Sequence, residues 1–437
     1  MKKVISLLTI ALLLVNVPGL ALEANDIGIS GEASQDIIYS NQTESWRGIS
    51  KLDLEIDRSF GVDKYLYINP EFNIKYDESN HFSDLKIDLD QAYFDLYLEN
   101  TDLRVGKQKI NWGTAYEFNP TDMINPYDLT AEDPLESKTG VSAVKSRYYF
   151  NPSTSLAGLV VTDFEESSVP VPIKSNMITE IKDNYTELLL SQGISPTSIE
   201  ATLNNNLFIN ETEPEIDSLG KMEYALNLTK RNVKGYDLSV SYFNGYEDLP
   251  SITSDLEAVG EELVIISNEY ETNGSSNQTA KLNIGYKETQ GIGLNAIGSI
   301  SEVGVWSELN YQYNEDDEQT LDVVVGSDYT FDNNLYTVGQ LIHRSYTDYI
   351  IEREDMNYLL LHGDKPFRQI HQLNANLIYD LDNNNYLLNP EINLSLGNNL
   401  NLDIGTTITD EDNKATGYSV FNMMSEEKTY FELSYSF

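Results

Sequence analysis

Polar and apolar residues alternate along most of this chain with a period of two. In "KLDLEID" (51–57), Leu52, Leu54 and Ile56 share one side while Lys51, Asp53, Glu55 and Asp57 share the other. "YLYINPEFNIKY" (65–76) sets Leu66, Ile68, Phe72 and Ile74 against Tyr67, Asn69, Glu71, Asn73 and Lys75; "TLDVVVGSDYTF" (320–331) and "NLNLDIGTTI" (399–408) follow suit. Such runs predict half-buried strands, closed by short polar turns such as Phe60-Gly61, Asn151-Pro152, Asp332-Asn333-Asn334 and Asp382-Asn383-Asn384. The first half of the chain yields strands near 27–39, 47–60, 64–77, 84–99, 102–112, 139–150, 153–163, 218–231 and 234–246. The second half adds 279–299, 303–314, 319–331, 334–347, 368–381, 385–397, 400–410, 414–424 and 428–437. Residues 279–299 keep one phase from Leu282 through Ile284, Tyr286, Ile292 and Leu294 to Ala296, and are read as one strand.

A soluble β-sandwich also alternates, but its strands usually run about 5–6 residues and it needs a second apolar layer. Here the runs are longer, and their polar faces carry charges strand after strand. The opposite arrangement fits: apolar residues outward into lipid, polar residues inward. The expected fold is all-β, a transmembrane antiparallel up-and-down β-barrel of about 18 strands (16–18). An even count returns both ends of the barrel to one side. Short turns then fall on that side, and the long connections 113–138, 164–217, 247–278 and 348–367 become extracellular loops. Within loop 164–217, "NMITEIKDNYTELLLSQG" (176–193) spaces Met177, Ile181, Tyr185 and Leu188 at helical intervals, and Ser195-Pro196 reads as a cap and helix start. That loop is expected to be partly helical, either plugging the lumen or capping it.

The first residues set the compartment. Met1-Lys2-Lys3, the apolar "VISLLTIALLLV" (4–15) and small Gly19 and Ala21 form a signal-peptide pattern over 1–21, leaving 22–437 as one domain. A membrane anchor fits less well, because the run is short and Pro18-Gly19 interrupts it. The chain has no cysteine, which excludes disulfides, thiolate metal sites and a lipoprotein anchor. Its formal charge of −42 repels phosphate backbones and argues against a nucleic-acid partner. The 29 tyrosines, against 14 Phe and 3 Trp, suit a surface that is apolar with wet edges, as at a membrane interface.

The last residues, "KTYFELSYSF" (428–437), put Phe431, Leu433, Tyr435 and Phe437 on one side of the alternation. Lipid would cover that stripe, and pairing with the first strand would close its edge. An alternating stripe ending on Phe resembles the C-terminal signal of bacterial outer-membrane barrels. The resemblance implies barrel-assembly machinery and outer-membrane lipids as partners.

Residues 102–128, "DLRVGKQKINWGTAYEFNPTDMINPYD", do not look like generic strand and loop. Their Gly106-Lys107-Gln108, Trp112-Gly113, Pro120-Thr121-Asp122 and Asn125-Pro126 resemble a stretch of porin-like outer-membrane barrels related to the alginate-export family, with Lys107 where arginine is commoner. The resemblance implies an outer-membrane channel. Read directly, two prolines and two Asx residues make a rigid loop able to constrict a pore, through Trp112, Gly113, Pro120, Thr121, Asp122, Asn125 and Pro126. A loop packed merely at the rim is the alternative.

Alternation also selects side chains for the lumen. Lys51, Asp53, Glu55, Asp57, Glu71, Lys75 and Asp88 come from the early strands, where Asp84, Lys86 and Asp88 share a phase that breaks near Asp90-Gln91, as at a bulge. Arg104, Lys107, Lys109, Lys145 and Arg147 form a more basic sector. Facing charges would steer charged solutes, and the overall acid excess predicts a mild cation preference. Cross-strand ion pairing that simply satisfies the wall is the alternative.

Chemistry is expected to be absent. The histidines are His81, His343, His362 and His371, and in "HRS" (343–345) nothing has the spacing of a nucleophile and its base. No phosphate-cradling glycine loop and no His-rich metal spacing occur; the acidic "NEDDEQ" and "DEDN" have the donors for a divalent cation but read first as solvated turns, so neither metal nor cofactor is expected. The expectation is a passive channel for small hydrophilic solutes or ions, or alternatively a barrel that displays its loops 164–217 and 247–278 for surface interactions.

Overall fold

A computed structural model describes residues 27–78, 84–131, 137–215, 221–316, 318–347, 353–410 and 426–437. The first seven strands are β1 (Gly28–Ser40), β2 (Ser45–Ser59), β3 (Lys64–Asp77), β4 (Asp84–Tyr97), β5 (Thr101–Gln108), β6 (Val141–Asn151) and β7 (Thr154–Val161). Helices α1 (Val171–Ser191) and α2 (Pro196–Asn205) follow, then β8 (Leu207–Glu211), β9 (Glu223–Val233), β10 (Tyr236–Tyr246) and β11 (Ser251–Ile252). Helix α3 (Leu256–Asn273) precedes β12 (Ala280–Gly285), β13 (Glu288–Ile300), β14 (Val303–Asn314), β15 (Gln319–Thr330) and β16 (Tyr336–Thr347). The chain finishes with β17 (Arg353–Phe367), β18 (His371–Asp380), β19 (Tyr386–Gly397), β20 (Leu400–Thr409) and β21 (Lys428–Ser436).

All of these strands except β8, β11 and β12 join one 18-stranded sheet. Each pairs antiparallel with its neighbour in the chain, and β1 closes the ring on β21, with Ser34 opposite Ser434 and Tyr39 opposite Thr429. Closure leaves no unpaired edge, the condition a sheet must meet in hydrocarbon. Side chains then sort by parity. Ile87 (64% exposed), Leu341 (55%) and Val325 (52%) stand on the outer face with Val105, Leu226, Ile292, Leu361 and Phe431, all exposed apolar groups with no protein over them. Such a surface would be untenable in water and suits a bilayer. Paired rings lie towards the two ends of the wall, Tyr39 with Trp46 at one and Tyr148 with Phe150, Tyr329 with Phe331 and Tyr435 with Phe437 at the other. Among the described residues, no helix is long and apolar enough to cross a membrane.

The two rims differ because the turn chemistry differs. At one rim, Asn398 and Asn399 both take positive φ (51° and 63°), as do Lys234 and Gly235 (55° and 93°). Two successive left-handed residues form the two-residue hairpin that matches strand twist. The opposite rim carries the connections 109–140, 162–222 and 247–287. In β3–β4 the register jumps from Asn69↔Gln91 to Pro70↔Leu89, leaving Asp90 as a bulge where the phase break was expected.

Two expected strand assignments need correction, and a third lies outside the described residues. Residues 353–367, read as loop, are the 15-residue strand β17, whose "MNYLLLHG" lacks clean alternation because both its faces are largely apolar. The strand expected at 414–424 lies outside the described residues, so the total of 18 is reached by a different set. Residues 279–299 are not one strand. The phase continues, but β12 leaves the wall and pairs in parallel with β8, and the barrel resumes only at Glu288.

The long connections 162–222 and 247–287 together build a small module. Its sheet orders β8, β12 and β11, covered by α1, α2 and α3 around Met177, Ile181, Tyr185, Leu189, Leu203, Leu263, Ile266 and Leu282. Helix α2 starts where Ser195 accepts the Ser198 amide, with Pro196 at its first position. Asp255 caps α3 by accepting the Glu257 and Ala258 amides, and left-handed Gly274 (φ 72°) ends it. In α1 the fourth buried position is Leu189, fully buried, and not Leu188, which is 38% exposed. Steps of four from Met177 run through Ile181 and Tyr185 to Leu189, which the expected three-residue last step missed.

Candidate functional site: the inward loop and the charged wall

The connection between β5 and β6 does not stay at the rim. It turns into the barrel at Ile110 and is fastened to inward-facing groups of the far wall. Asn125 starts the fold: its Oδ1 accepts the Ile110 amide at 3.1 Å, and its Nδ2 donates to the Ile110 carbonyl at 2.6 Å. That reciprocal pair closes the base of the loop as a strand would. Asn295 on β13 then donates to the Trp112 carbonyl at 2.8 Å, and Gln340 on β16 bonds both the amide (3.2 Å) and the carbonyl (2.9 Å) of Tyr116. The Gln340 oxygen also accepts the Trp306 indole N–H at 2.7 Å.

Glu308 on β14 is the centre of the attachment. Its side chain is fully buried, and its Oε1 accepts from the Thr114 amide, the Thr114 hydroxyl (3.1 Å) and the Ala115 amide (2.8 Å). Its other oxygen accepts from the amide and hydroxyl of Thr121 at 3.3 and 2.9 Å. A carboxylate that accepts several donors is well satisfied even when dry. The loop comes this close because the adjacent strand β13 lacks side chains where it passes. A Cβ on Gly293 would lie 3.1 Å from Thr121, and one on Gly291 would lie 2.5 Å from the Met123 sulfur.

Apolar packing and one buried ion pair complete the loop. Phe118 packs with Trp306, Val324, Val338, Ile342, Met356, Tyr358, Leu360, Ile378 and Leu387, which fill the lumen side of β14–β19. Arg344 lies over the Phe118 ring at 5.1 Å. Asp122 meets Lys138 at 2.8 Å, and Lys138 also covers the Tyr127 ring at 4.5 Å. Burial pushes the Asp122 carboxyl upward against the pull of Lys138. Burial also opposes the Lys138 charge, but Tyr127 and Asp122 outweigh it and raise the ammonium above its ordinary value. Trp112, Pro120, Thr121 and Asn125 are buried here and Asp122 is partly buried; Gly113 abuts the Asn119 side chain, and Pro126 accepts the Thr139 amide at 2.9 Å.

With the loop against β13–β17, the sector formed by β1–β6 and β19–β21 presents the charged wall. Lys51 pairs with Asp36 at 2.9 Å, and Lys109 with Asp90 at 2.8 Å. Arg104 grips Asp95 through two bonds of 2.7 Å and stacks on Tyr93 at 3.6 Å. Asp53 accepts from Asn69, and Glu55 accepts Ser30 and Tyr67 hydroxyls at 3.2 Å. Asp57 stands opposite Tyr67, Glu71 between Asp53 and Asp88, Lys75 opposite Ile49, Lys145 opposite Arg104, and Arg147 opposite Asp102. Asp88 pairs with Lys86 at 3.2 Å.

Lys107 departs from the expectation. The register sets it opposite Ala92 and Ser142, on the side of the wall where Val105 and Val144 are exposed, and its ammonium lies 3.7 Å from Glu165. Strict alternation through Gly106 takes it away from the lumen row that holds Arg104. A second acidic feature was not anticipated. Asp403 stands opposite Glu432, and Glu432 opposite Asp36, so three carboxylates occupy one row on three adjacent strands.

A family model described as "Protein of unknown function (DUF1302)" matches residues 23–420. The chain belongs to that family. No curated protein matches the sequence. Among solved structures the chain is similar to Pseudomonas aeruginosa OccK5 (OpdH), at 9% identity over 94% of this chain and 98% of that one, with a TM-score of 0.53. Pseudomonas aeruginosa OccK7 (OpdD) aligns at 10% identity over 95% and 99%, with a TM-score of 0.49. At such identity the likeness to the first speaks for the barrel fold alone, and a link to alginate export is not shown.

In this DUF1302 chain the loop residues could be singled out from sequence, whereas their receptors could not. Glu308, Gln340 and Asn295 lie on strands that read as ordinary alternation. The available signal was modest: "VWSELNYQ" sets Trp306, Glu308, Asn310 and Gln312 on one face, an unusually varied row for a wall open to water.

Proposed function

We propose that the protein is an outer-membrane, porin-like channel through which small hydrophilic solutes or ions diffuse passively, with no chemistry performed on them. The observation that carries this reading is the inward loop fixed to one wall of a closed barrel by Glu308, opposite a wall lined with charge. A barrel built only as an anchor has no need of a narrowed, charged interior; a selective passage needs both. In this reading the long connections face outward from the cell, the short turns face the periplasm, and the last strand serves as the assembly signal.

Purified protein in planar bilayers is expected to give discrete conductance steps, and liposomes carrying it are expected to swell in small sugars or amino acids. A second reading, surface display by the module of α1–α3, is favoured by that module's own apolar core. Silence in both assays, from protein shown to be folded, would sink the channel and leave display.

A further inference from the structure

At the rim that bears the long connections, the inward loop and the wall enclose a cavity of about 210 Å³. Its lining is not that of a packing void. Asn310 on β14 is 4% exposed, and its side-chain oxygen is buried without a hydrogen-bond donor. Arg344 on β16 likewise has its Nε buried without an acceptor. Strand β15 runs between them and brings Asp322 opposite Asn310 in the register, where it already accepts the Ser345 amide at 2.9 Å. Three neighbouring strands therefore offer the cavity a guanidinium N–H, a carboxylate and a carboxamide oxygen, in that order. The guanidinium is held against the Phe118 ring of the loop.

Arg344, Asp322 and Asn310 line one cavity side by side, and together they set the polarity of what would fill it, since buried polar groups are nearly always partnered. The geometry points to a binding site for a small zwitterion, with its carboxylate on Arg344 and its ammonium between Asp322 and Asn310. The volume corresponds to about seven waters at roughly 30 Å³ each, the scale of an amino acid. The inference rests on the channel reading and names its class of solute.

Calorimetry on the full-length protein in detergent, with alanine as probe and acetate and methylammonium as its two halves, tests the site. Alanine is expected to bind about tenfold or more tightly than either half, because each charge keeps its own partner. Arg344→Gln and Asn310→Leu are each expected to weaken alanine binding by about tenfold. The second variant does not touch the contact with Phe118, so it decides the matter if the first fails to fold. Equal binding of alanine and its halves, or alanine binding unchanged in Asn310→Leu, would overturn the site. Bilayer recordings of the same preparation separate the two claims. Conductance without alanine binding removes the site and keeps the channel, whereas binding without conductance keeps the site and removes the channel.

Discussion

At the scale of single residues, the conformation of the inward loop depends on Glu308. Its two oxygens serve donors from Thr114, Ala115 and Thr121, so one carboxylate organises two separate turns of the loop. Glu308→Ala strands those amides in a dry place at about 2–4 kcal/mol. The expected result is a folded barrel whose residues 113–125 become protease-sensitive and whose conductance rises. Unchanged conductance with a demonstrably released loop would show that the loop does not narrow the path. A second residue makes a prediction about pH. Asp248, in the connection after β10, is pushed well above the ordinary carboxyl value, first by burial and then by the charge of Glu223. A raised folded value means that the folded form holds the proton more tightly. Its contribution is therefore complete below the ordinary carboxyl value of about 3.9 and is lost as pH rises through the folded value. Order in residues 247–287, followed by limited proteolysis, is expected to fall as pH rises above about 4 in the wild type. In Asp248→Asn that part of the slope should disappear; an identical slope would refute the assignment.

At the scale of elements, how much the sequence reveals follows the surroundings of each strand. Strands with lipid on one side and water on the other alternate cleanly, as 51–57 and 399–408 do, and their places were legible. Strand β17 packs Met356, Tyr358 and Leu360 under the loop on its inner face, so both faces are apolar and the period vanishes. The motif 106–126 was legible as a stiff loop through its Pro and Asx residues, but the wall that receives it was not, because pairing across nearly 200 residues leaves no local trace. Lys107 was misplaced for a related reason: a charge near a rim can lean on a loop acid, and parity alone then decides its side. The module of α1–α3 was half visible. The α1 stripe stood out, whereas α3, rich in Glu and β-branched residues, resembled an acidic loop. Since the module has its own core, damage there is expected to stay there. Leu263 is fully buried, and Leu263→Ala should remove about 2–5 kcal/mol from the module. Hydrogen exchange should then quicken in 171–211 and 256–285 while the barrel strands keep their protection. Equal loss across the wall strands would mean that the module and barrel unfold as one unit.

At the scale of the whole molecule, the two faces of the cylinder set two different problems. Outside, the apolar rows need only lipid. Inside, charge must be balanced, and the balance is uneven. Several bases of the wall are committed: Lys51 to Asp36, Lys86 to Asp88, Arg104 to Asp95 and Lys109 to Asp90. Acids remain beyond these pairs, among them Asp53, Glu55, Glu71 and the row of Asp403 and Glu432 beside Asp36. A water-filled path with fixed negative charge on one wall concentrates cations and repels anions, and added salt screens the effect over about 10 Å at 0.1 M. A potassium chloride gradient across a bilayer holding the protein should therefore give a reversal potential of the cation-selective sign, shrinking as both solutions are made more concentrated. Neutralising the unpaired acids as Asp53→Asn with Glu71→Gln should move that potential towards zero, while Lys107→Ala should leave it unmoved, since that ammonium sits off the lumen row. A reversal potential of the anion-selective sign, or one as sensitive to Lys107→Ala as to the acid pair, would mean that the charged flank does not face the path the ions take.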